Sequence, residues 1–377
     1  MDATVAPRAP ALRWPATLAR WGVTPAVAGL WAWHELLMGA AAAVPVPSGP
    51  SPIVSGLPWF RWDVGWYARI AHASYAHLPA YYAAYFPGVP AYLWVTHSSA
   101  LAFVGIQIAL LGLLVQVGRL AASWGLTGWR VTFAQALVAL SPAAIFYSTA
   151  YPEVWEALGI CGALLAMRAS RPGRAAAWSA LAGVMDPLGM LVGVGAGAWA
   201  LWGLLRREWP VFRQGIAWGL GSAAALGAVS ATLWANGLRP LGFIGAQRAW
   251  GAHWLVPGVQ IWQALIWRGP ELDASLAALA ALPLVVAGLV TVVRAGLRSA
   301  WHAATAGITI AIVLVSLAFY TNRAPLSSAA RFFSLAIPGA VALAGVFPRR
   351  YGVAAAAWYS CWAIAGAVLF THGWFWG

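Results

Sequence analysis

Residues 88–122 read GVPAYLWVTHSSALAFVGIQIALLGLLVQVGRLAA, a stretch in which Arg119 is the one charged side chain. An α-helix rises 1.5 Å per residue, so about 20 consecutive apolar residues cross a bilayer hydrocarbon core of roughly 30 Å. The stretch therefore predicts a membrane-spanning helix, and its length leaves room for two helical pieces. Apolar stretches of the same kind recur from Trp21 to the C-terminus.

The composition of the whole chain agrees with this interpretation. Of 377 residues, 62% are hydrophobic and 8% are charged, whereas about a quarter of the residues in a soluble domain are charged. The net charge is +13, but all 22 basic residues are arginines that separate apolar segments, so no soluble basic face is available for nucleic acid. Cys161 and Cys361 lie within apolar segments and form no disulfide or zinc pattern. We expect a membrane protein without a metal or cofactor.

The hydrophobic pattern predicts an all-α, polytopic transmembrane bundle of about eleven spans. Residues 1–20 are expected to form a cytoplasmic tail leading into an uncleaved signal anchor, and residues 21–377 a single transmembrane domain. The stretch 175–185 is too short to cross alone, so 175–205 is either two spans or a broken hairpin around Asp186. The predicted spans are 21–43, 88–122, 131–148, 153–168, 175–185, 187–205, 214–236, 274–293, 300–320, 332–347 and 351–371.

The arginines also orient the chain. With the N-terminus in the cytoplasm, the majority of the arginines fall on the cytoplasmic side, as the positive-inside rule requires. The outer side receives the two longest loops, 44–87 and 237–273, which are rich in Trp, Tyr, Pro and His. Long loops of this composition are usually functional and not disordered, so we expect the active face outside. The outer arginines are Arg61, Arg69, Arg239, Arg248, Arg268, Arg323 and Arg331.

Asp63 is the first candidate for chemistry, in the outer stretch Trp59 to Ala71. Trp62, Trp66 and Ile70 recur there at helical spacing, which predicts an amphipathic helix in the membrane interface. Such a helix would hold Asp63 and Tyr67 over a cavity at the membrane surface, where a carboxylate can accept a proton. The alternative is that Asp63 forms an ion pair with Arg61 or Arg69.

Four further acidic residues map to the outer side. Glu153 follows a proline in the first turn of a predicted helix, so an interaction with the helix dipole would also explain it. The same explanation fits Asp186, and none better is available for Glu271. The four residues are Glu153, Glu156, Asp186 and Glu271.

Arg248 and Arg331 are candidates to bind a phosphate, because guanidinium groups suit phosphate oxygens; the alternative is contact with lipid headgroups. The chain has no D-x-D motif, no P-loop and no dinucleotide fingerprint. A phosphate-bearing substrate must then be lipid-soluble. His34 and Glu35, adjacent in the first predicted span, form either a proton relay or a buried structural hydrogen bond.

Five segments of the chain resemble the PIG-V family, the mannosyltransferases that add the second mannose of GPI anchors, together with bacterial relatives of the GT-C superfamily. The first is RWDVGWYARIAHASY with the Phe86-Pro87-Gly88-Val89-Pro90 element. The others are SPAAIFYSTAYPEVWEAL, FIGAQRAWGAHWLVPG, SAARFFSLAIPGAVALA and the ending FTHGWFWG. The five occur in the family's order along almost the whole chain.

The resemblance implies an inverting, metal-independent transfer of a sugar, mannose in the family, from a polyprenyl-phosphate donor to a hydroxyl of a lipid-linked or surface glycan. Asp63 would be the general base, and Arg331 with Arg248 would bind the donor phosphate. The residues expected to bind the sugar or to form walls around it are Trp62, Trp66, Tyr67, Glu153, Gln247 and Trp250.

Two departures put the sugar preference in doubt more than the reaction type. Ala252 stands where the family usually has an arginine, and Asp186-Pro187 replaces an Arg-Pro pair. Two other classes stay open: a transporter or flippase for a lipid-linked sugar that uses His34 and Glu35, and a non-catalytic homologue. A transporter would predict an inverted repeat, and the sequence shows none. An all-arginine, alanine-rich chain indicates a bacterial plasma membrane.

Overall fold

The computed structural model describes residues 15–296, 298–321 and 324–376, and within these ranges the chain is an all-α protein. Most of the predicted tail, and Arg323, lie outside these ranges. The α-helices are α1 (Ala16–Arg20), α2 (Pro25–Ala42), α3 (Asp63–Ala73), α4 (Gly88–Thr96), α5 (Ser99–Ser123), α6 (Trp129–Ala139), α7 (Glu153–Arg168), α8 (Pro172–Met185), α9 (Val192–Arg206), α10 (Trp209–Ala235), α11 (Gly242–Ala249), α12 (Val259–Ile266), α13 (Leu272–Ala295), α14 (Ala300–Ala318), α15 (Ala329–Phe333), α16 (Ile337–Val346) and α17 (Arg349–Thr371).

Short elements connect these helices. Two strands, β1 (His253–Trp254) and β2 (Phe319–Tyr320), form an antiparallel pair that joins the connection after α11 to the end of α14. The 3₁₀-helices are Tyr75–His77, Ala80–Ala84, Ala144–Tyr147 and Pro187–Leu191.

Six helical segments in the described ranges are long and apolar enough to cross a membrane, which makes the chain a membrane-embedded protein. The helices in the other predicted spans, α2, α6, α7, α8 and α16, do not meet the same limits of length and hydropathy. The six segments are Ser99–Ser123, Pro187–Arg206, Trp209–Ala235, Leu272–Ala295, Ala300–Ala318 and Arg349–Thr371.

Three predicted spans are interrupted. The span 88–122 is two helices, because His97 adopts a left-handed conformation (φ 52°) and the Ser98 side chain caps α5 by accepting a hydrogen bond from the Leu101 N–H. The span 131–148 was predicted too long: α6 ends at Ala139, shortly before Pro142, which lacks an N–H and restricts the residue before it. The span 332–347 is divided between α15 and α16, and Pro338 lies in the first turn of α16.

Helix α3 exists as predicted, but its apolar side faces the protein. Val64, Tyr67 and Ile70 are buried at successive turns. Trp62 lies before the helix with a positive φ of 55°, so the predicted stripe of Trp62, Trp66 and Ile70 is not a surface for lipid headgroups. Burial of this side fixes the rotation of α3 and thereby the direction of Asp63 at its N-terminus.

The two long loops predicted to lie outside, 44–87 and 237–273, pack on each other and on the C-terminus, and they keep the name outer loops below. The 3₁₀-helix Ala80–Ala84 lies along α11, and the Trp66 and Trp250 rings meet edge to face at 5.1 Å. At the C-terminus, the N–H of Gly49 donates to the carbonyl of His372 (2.7 Å), and the buried Trp376 indole donates to the carbonyl of Pro142 (2.9 Å). The last residues therefore connect the first outer loop to the Ser141-Pro142 segment.

Candidate functional site

Asp63 is the first residue of α3 and has partners on both its main chain and its side chain. Its backbone N–H donates to the Tyr151 hydroxyl oxygen (3.0 Å), and Oδ1 accepts a long hydrogen bond from the Tyr85 hydroxyl (3.4 Å). Its side chain is 29% exposed, so one part is accessible to a substrate while the rest is held in place. A carboxylate in the first turn is also stabilised by the helix dipole.

Arg331, on α15, joins Asp63 to Glu153, the first residue of α7. Its Nη1 lies 3.4 Å from Asp63 Oδ2, and its Nε lies 2.6 Å from Glu153 Oε1. The Nε–H is not directed along the shorter contact, which is therefore an ion pair without a well-aligned hydrogen bond. One cation thus lies between two carboxylates from distant parts of the chain.

The guanidinium is enclosed by aromatic rings. Its carbon lies 5.7, 5.4 and 5.3 Å from the ring centres of Phe146, Tyr151 and Phe332, within the range of cation–π attraction. Burial alone would lower the pKa of Arg331, but the neighbouring Glu153 and Asp63 carboxylates outweigh burial and raise this pKa above its ordinary value. Arg331 is therefore a permanent positive charge in this cluster.

The ion pairs expected as the alternative for Asp63 do not form. Arg61 donates to the backbone carbonyls of Ser51 and Pro58, and Arg69 donates to the Tyr82 hydroxyl (3.2 Å) while stacking over Trp66. Both arginines therefore hold the first outer loop in shape. The partner of Asp63 is Arg331, 268 residues away in the sequence.

Three of the predicted aromatic residues form one wall. Tyr67 meets Tyr85 edge to face at 5.3 Å, and Trp66 meets Trp250. Trp62 lies on another side, where its indole donates to the carbonyl of Trp374 (3.2 Å). The wall beside Asp63 therefore combines residues from both outer loops.

The structure does not bring Gln247 and Arg248 into the carboxylate cluster. The Gln247 amide donates to the carbonyl of Ala84 (3.4 Å), a contact that holds α11 against the first outer loop. Arg248 is exposed on α11, and no ion pair joins it to an acidic group among the described residues. Neither residue joins the Asp63, Arg331 and Glu153 cluster, so their contacts with a substrate stay predictions.

The other acidic candidates differ in their surroundings. Asp186 caps the following 3₁₀-helix by accepting a hydrogen bond from the Leu188 N–H (3.0 Å), and Glu271 precedes α13. Glu156 is fully buried one turn after Glu153. Neither of its oxygens accepts a hydrogen bond of good geometry within the described residues, although the backbone N–H of Gly189 lies nearby. Glu153 Oε2 is likewise without a donor there.

His34 and Glu35 form a hydrogen-bonded chain with Ser148. The buried His34 ring contacts the Ala139 carbonyl through Nδ1 and Ser148 Oγ through Nε2, both at 2.7 Å. Ser148 Oγ also lies 2.7 Å from Glu35 Oε1. Because a carbonyl oxygen can only accept a hydrogen bond, Nδ1 is protonated and donates to the Ala139 carbonyl. Such a connected chain is compatible with both alternatives, the structural hydrogen bond and the proton relay.

Tyr85 is a site residue that the sequence did not single out, and Phe146 and Tyr151 appeared only as members of a quoted segment. Tyr85 directly precedes the Phe86-Pro87 element, and that position was the one available signal. Burial, reinforced by Asp63, raises the pKa of Tyr85 well above its ordinary value, so the phenol remains protonated as a donor.

For any reaction in which the Asp63 carboxylate takes part, Tyr85→Phe is expected to lower the rate about tenfold, because a hydrogen bond to a charged group is worth about 1.5–3 kcal/mol and this one is long. The measurement is kcat/KM with an accepted substrate. Tyr81→Phe is the matched control, since Tyr81 lies in the same loop and is 37% exposed. Equal losses in both variants would contradict a specific role for the Tyr85 hydroxyl.

Fold and site together define an all-α membrane protein with an arginine held between two carboxylates where α3 and α7 begin. A comparison with protein-family models and with curated protein sequences found no match for the chain. The geometry of the cluster and the segments quoted above are therefore the basis for a functional proposal.

Proposed function

We propose that the chain is a GT-C-type glycosyltransferase that moves a sugar from a polyprenyl-phosphate carrier to a hydroxyl of a lipid-linked or surface glycan. Mannose is the sugar that the resemblance to the PIG-V family favours. The observation that carries the proposal is the contact of Arg331 with both Asp63 and Glu153. About eleven spans, a cytoplasmic N-terminus and an active face on the outer side of a bacterial plasma membrane are parts of the same proposal.

In the proposed reaction, Asp63 accepts the proton of the acceptor hydroxyl. The acceptor oxygen then bonds to the anomeric carbon, and the bond from that carbon to the phosphate oxygen breaks with inversion. The electron pair stays on the departing lipid phosphate. Arg331 stabilises this growing negative charge, because its guanidinium is already fixed in a largely buried place.

The neighbouring groups have supporting roles in this scheme. Glu153 holds the guanidinium of Arg331; its own oxygens are buried, so in this scheme it acts through Arg331 and not by the direct contact with the sugar that the sequence suggested. The partly exposed rings of Trp66 and Trp250 form an aromatic surface of the kind that suits a sugar ring, and the buried Tyr67 supports it through its contact with Tyr85. Gln247 acts by holding α11 against the first outer loop. Ala252 and Asp186 stand where the resembled family usually has arginines. Binding of the donor phosphate therefore depends chiefly on Arg331.

The test is transfer of radiolabelled mannose in membranes from cells that express the chain and from matched cells that do not. We expect chain-dependent transfer from polyprenyl-phosphate mannose, and none from nucleotide-linked mannose once synthesis of the lipid donor is blocked. Absence of transfer from a panel of polyprenyl-phosphate sugars would contradict the proposal. If the labelled lipid crossed the bilayer without transfer of its sugar, the chain would instead be a transporter or flippase.

A further inference from the structure

A cavity of about 450 Å³ lies between the C-terminal ends of α7 and α9 and the N-terminal end of α14. Its charged lining comprises Arg168, Arg206, Arg298 and the single acid Glu208. The excess positive charge makes the cavity attractive to anions. The rest of the lining is Trp199, Trp202, Ser299, Ala300 and Trp301.

Two of the guanidinium groups are positioned by indole rings. The carbon of the Arg168 guanidinium lies 5.8 Å from the Trp301 ring centre, and that of Arg206 lies 5.0 Å from the Trp202 ring centre. Stacking limits the orientations of each planar group and leaves its N–H edges free to bind an anion. The cavity therefore offers an anion oriented hydrogen-bond donors in addition to positive charge.

Trp199 forms the buried part of the cavity wall. It lines the same cavity and is 8% exposed, and its indole N–H has no hydrogen-bond acceptor in the part of the chain that the structure describes. A buried donor without an acceptor is unfavourable. The indole nitrogen is itself enclosed by protein atoms, so the ligand contacts of the cavity come from the arginines.

The cavity and the carboxylate cluster lie at opposite ends of the same helices. Helix α7 begins at Glu153 and ends at Arg168, which at 1.5 Å per residue is a separation of about 22 Å. The segment Pro187–Arg206 follows Asp186 and ends at the cavity. The arginine-lined cavity is therefore at the membrane face remote from Asp63.

We propose that this cavity binds the phosphate of an anionic lipid headgroup. Paired guanidinium groups match phosphate oxygens, and basic cavities between membrane helices suit such headgroups. A free phosphate has the same chemistry, but Leu204 and Leu205, beside Arg206, are 46% and 74% exposed and offer an apolar surface to a lipid tail. The inference does not depend on the proposed transferase activity.

The experiment is a titration of the purified full chain in nonionic detergent with short-chain phosphatidylglycerol, followed by native mass spectrometry. Phosphatidylcholine of the same chain length is the neutral comparison. Arg206→Gln and Arg298→Gln each remove one charge from the cavity. Arg213→Gln is the matched control, because Arg213 is an exposed arginine of α10 that does not line the cavity.

We expect the wild-type chain to prefer phosphatidylglycerol, with roughly fivefold weaker binding for each lost arginine. Arg213→Gln should leave binding unchanged. Thermal melting of each variant in the same detergent identifies any that fail to fold. Equal phosphatidylglycerol binding by folded cavity variants and the control would overturn the proposal. If equimolar inorganic phosphate displaced the lipid, the ligand of the cavity would be free phosphate and not a lipid headgroup.

Discussion

Asp63→Asn is expected to reduce sugar transfer by about 100- to 10,000-fold, the range for loss of a general base. Asparagine has nearly the same shape and can still accept the hydrogen bond from Tyr85, but it cannot take a proton from the acceptor hydroxyl. The measurement is transfer from polyprenyl-phosphate mannose, corrected for the amount of chain in each membrane preparation.

The control for this variant is Asp273→Asn. Asp273 also lies in the first turn of a helix, α13, so the substitution removes a comparable interaction with a helix dipole without affecting the cluster. We expect transfer near the wild-type level. If Asp63→Asn transferred sugar as fast as this control, Asp63 would not be the base, and a non-catalytic homologue would become the better interpretation.

Arg331→Met is expected to abolish measurable transfer and also to destabilise the chain. Removing a group that stabilises transition-state charge costs about 100- to 1,000-fold in rate. Removing one partner of a largely buried ion pair costs about 3–5 kcal/mol, because Glu153, 1% exposed, would keep a charge without a counter-ion. Transfer assays and thermal melting in detergent measure the two effects separately.

The double variant Arg331→Met/Glu153→Gln separates stability from catalysis. It removes both charges of the shorter ion pair, so no isolated carboxylate is left at Glu153. We expect its melting temperature to recover toward the wild-type value while transfer remains absent. Recovery of transfer together with stability would show that Arg331 has only a structural role.

The membrane character of the chain and the positions of most helices could be predicted from the sequence, because both depend on apolar stretches that are continuous along the chain. The ends of α7 and the split between α8 and the segment Pro187–Arg206 agree with the predicted boundaries. The interruptions at His97 and before Pro142 were harder to place. A backbone break inside an apolar region changes hydrophobicity very little.

The sequence also identified Asp63, Glu153 and Arg331 as candidates, since charged groups in so apolar a chain are few. For Asp63 it left open a base at the membrane surface or an ion pair with the nearby Arg61 or Arg69, and it did not indicate Arg331 as the partner. Only the packing of α3, α7 and α15 decided the matter, because it buries Val64 and Tyr67 and turns Asp63 toward a residue 268 positions away. Local pattern determined which residues are unusual, whereas contacts between distant segments determined which of them meet.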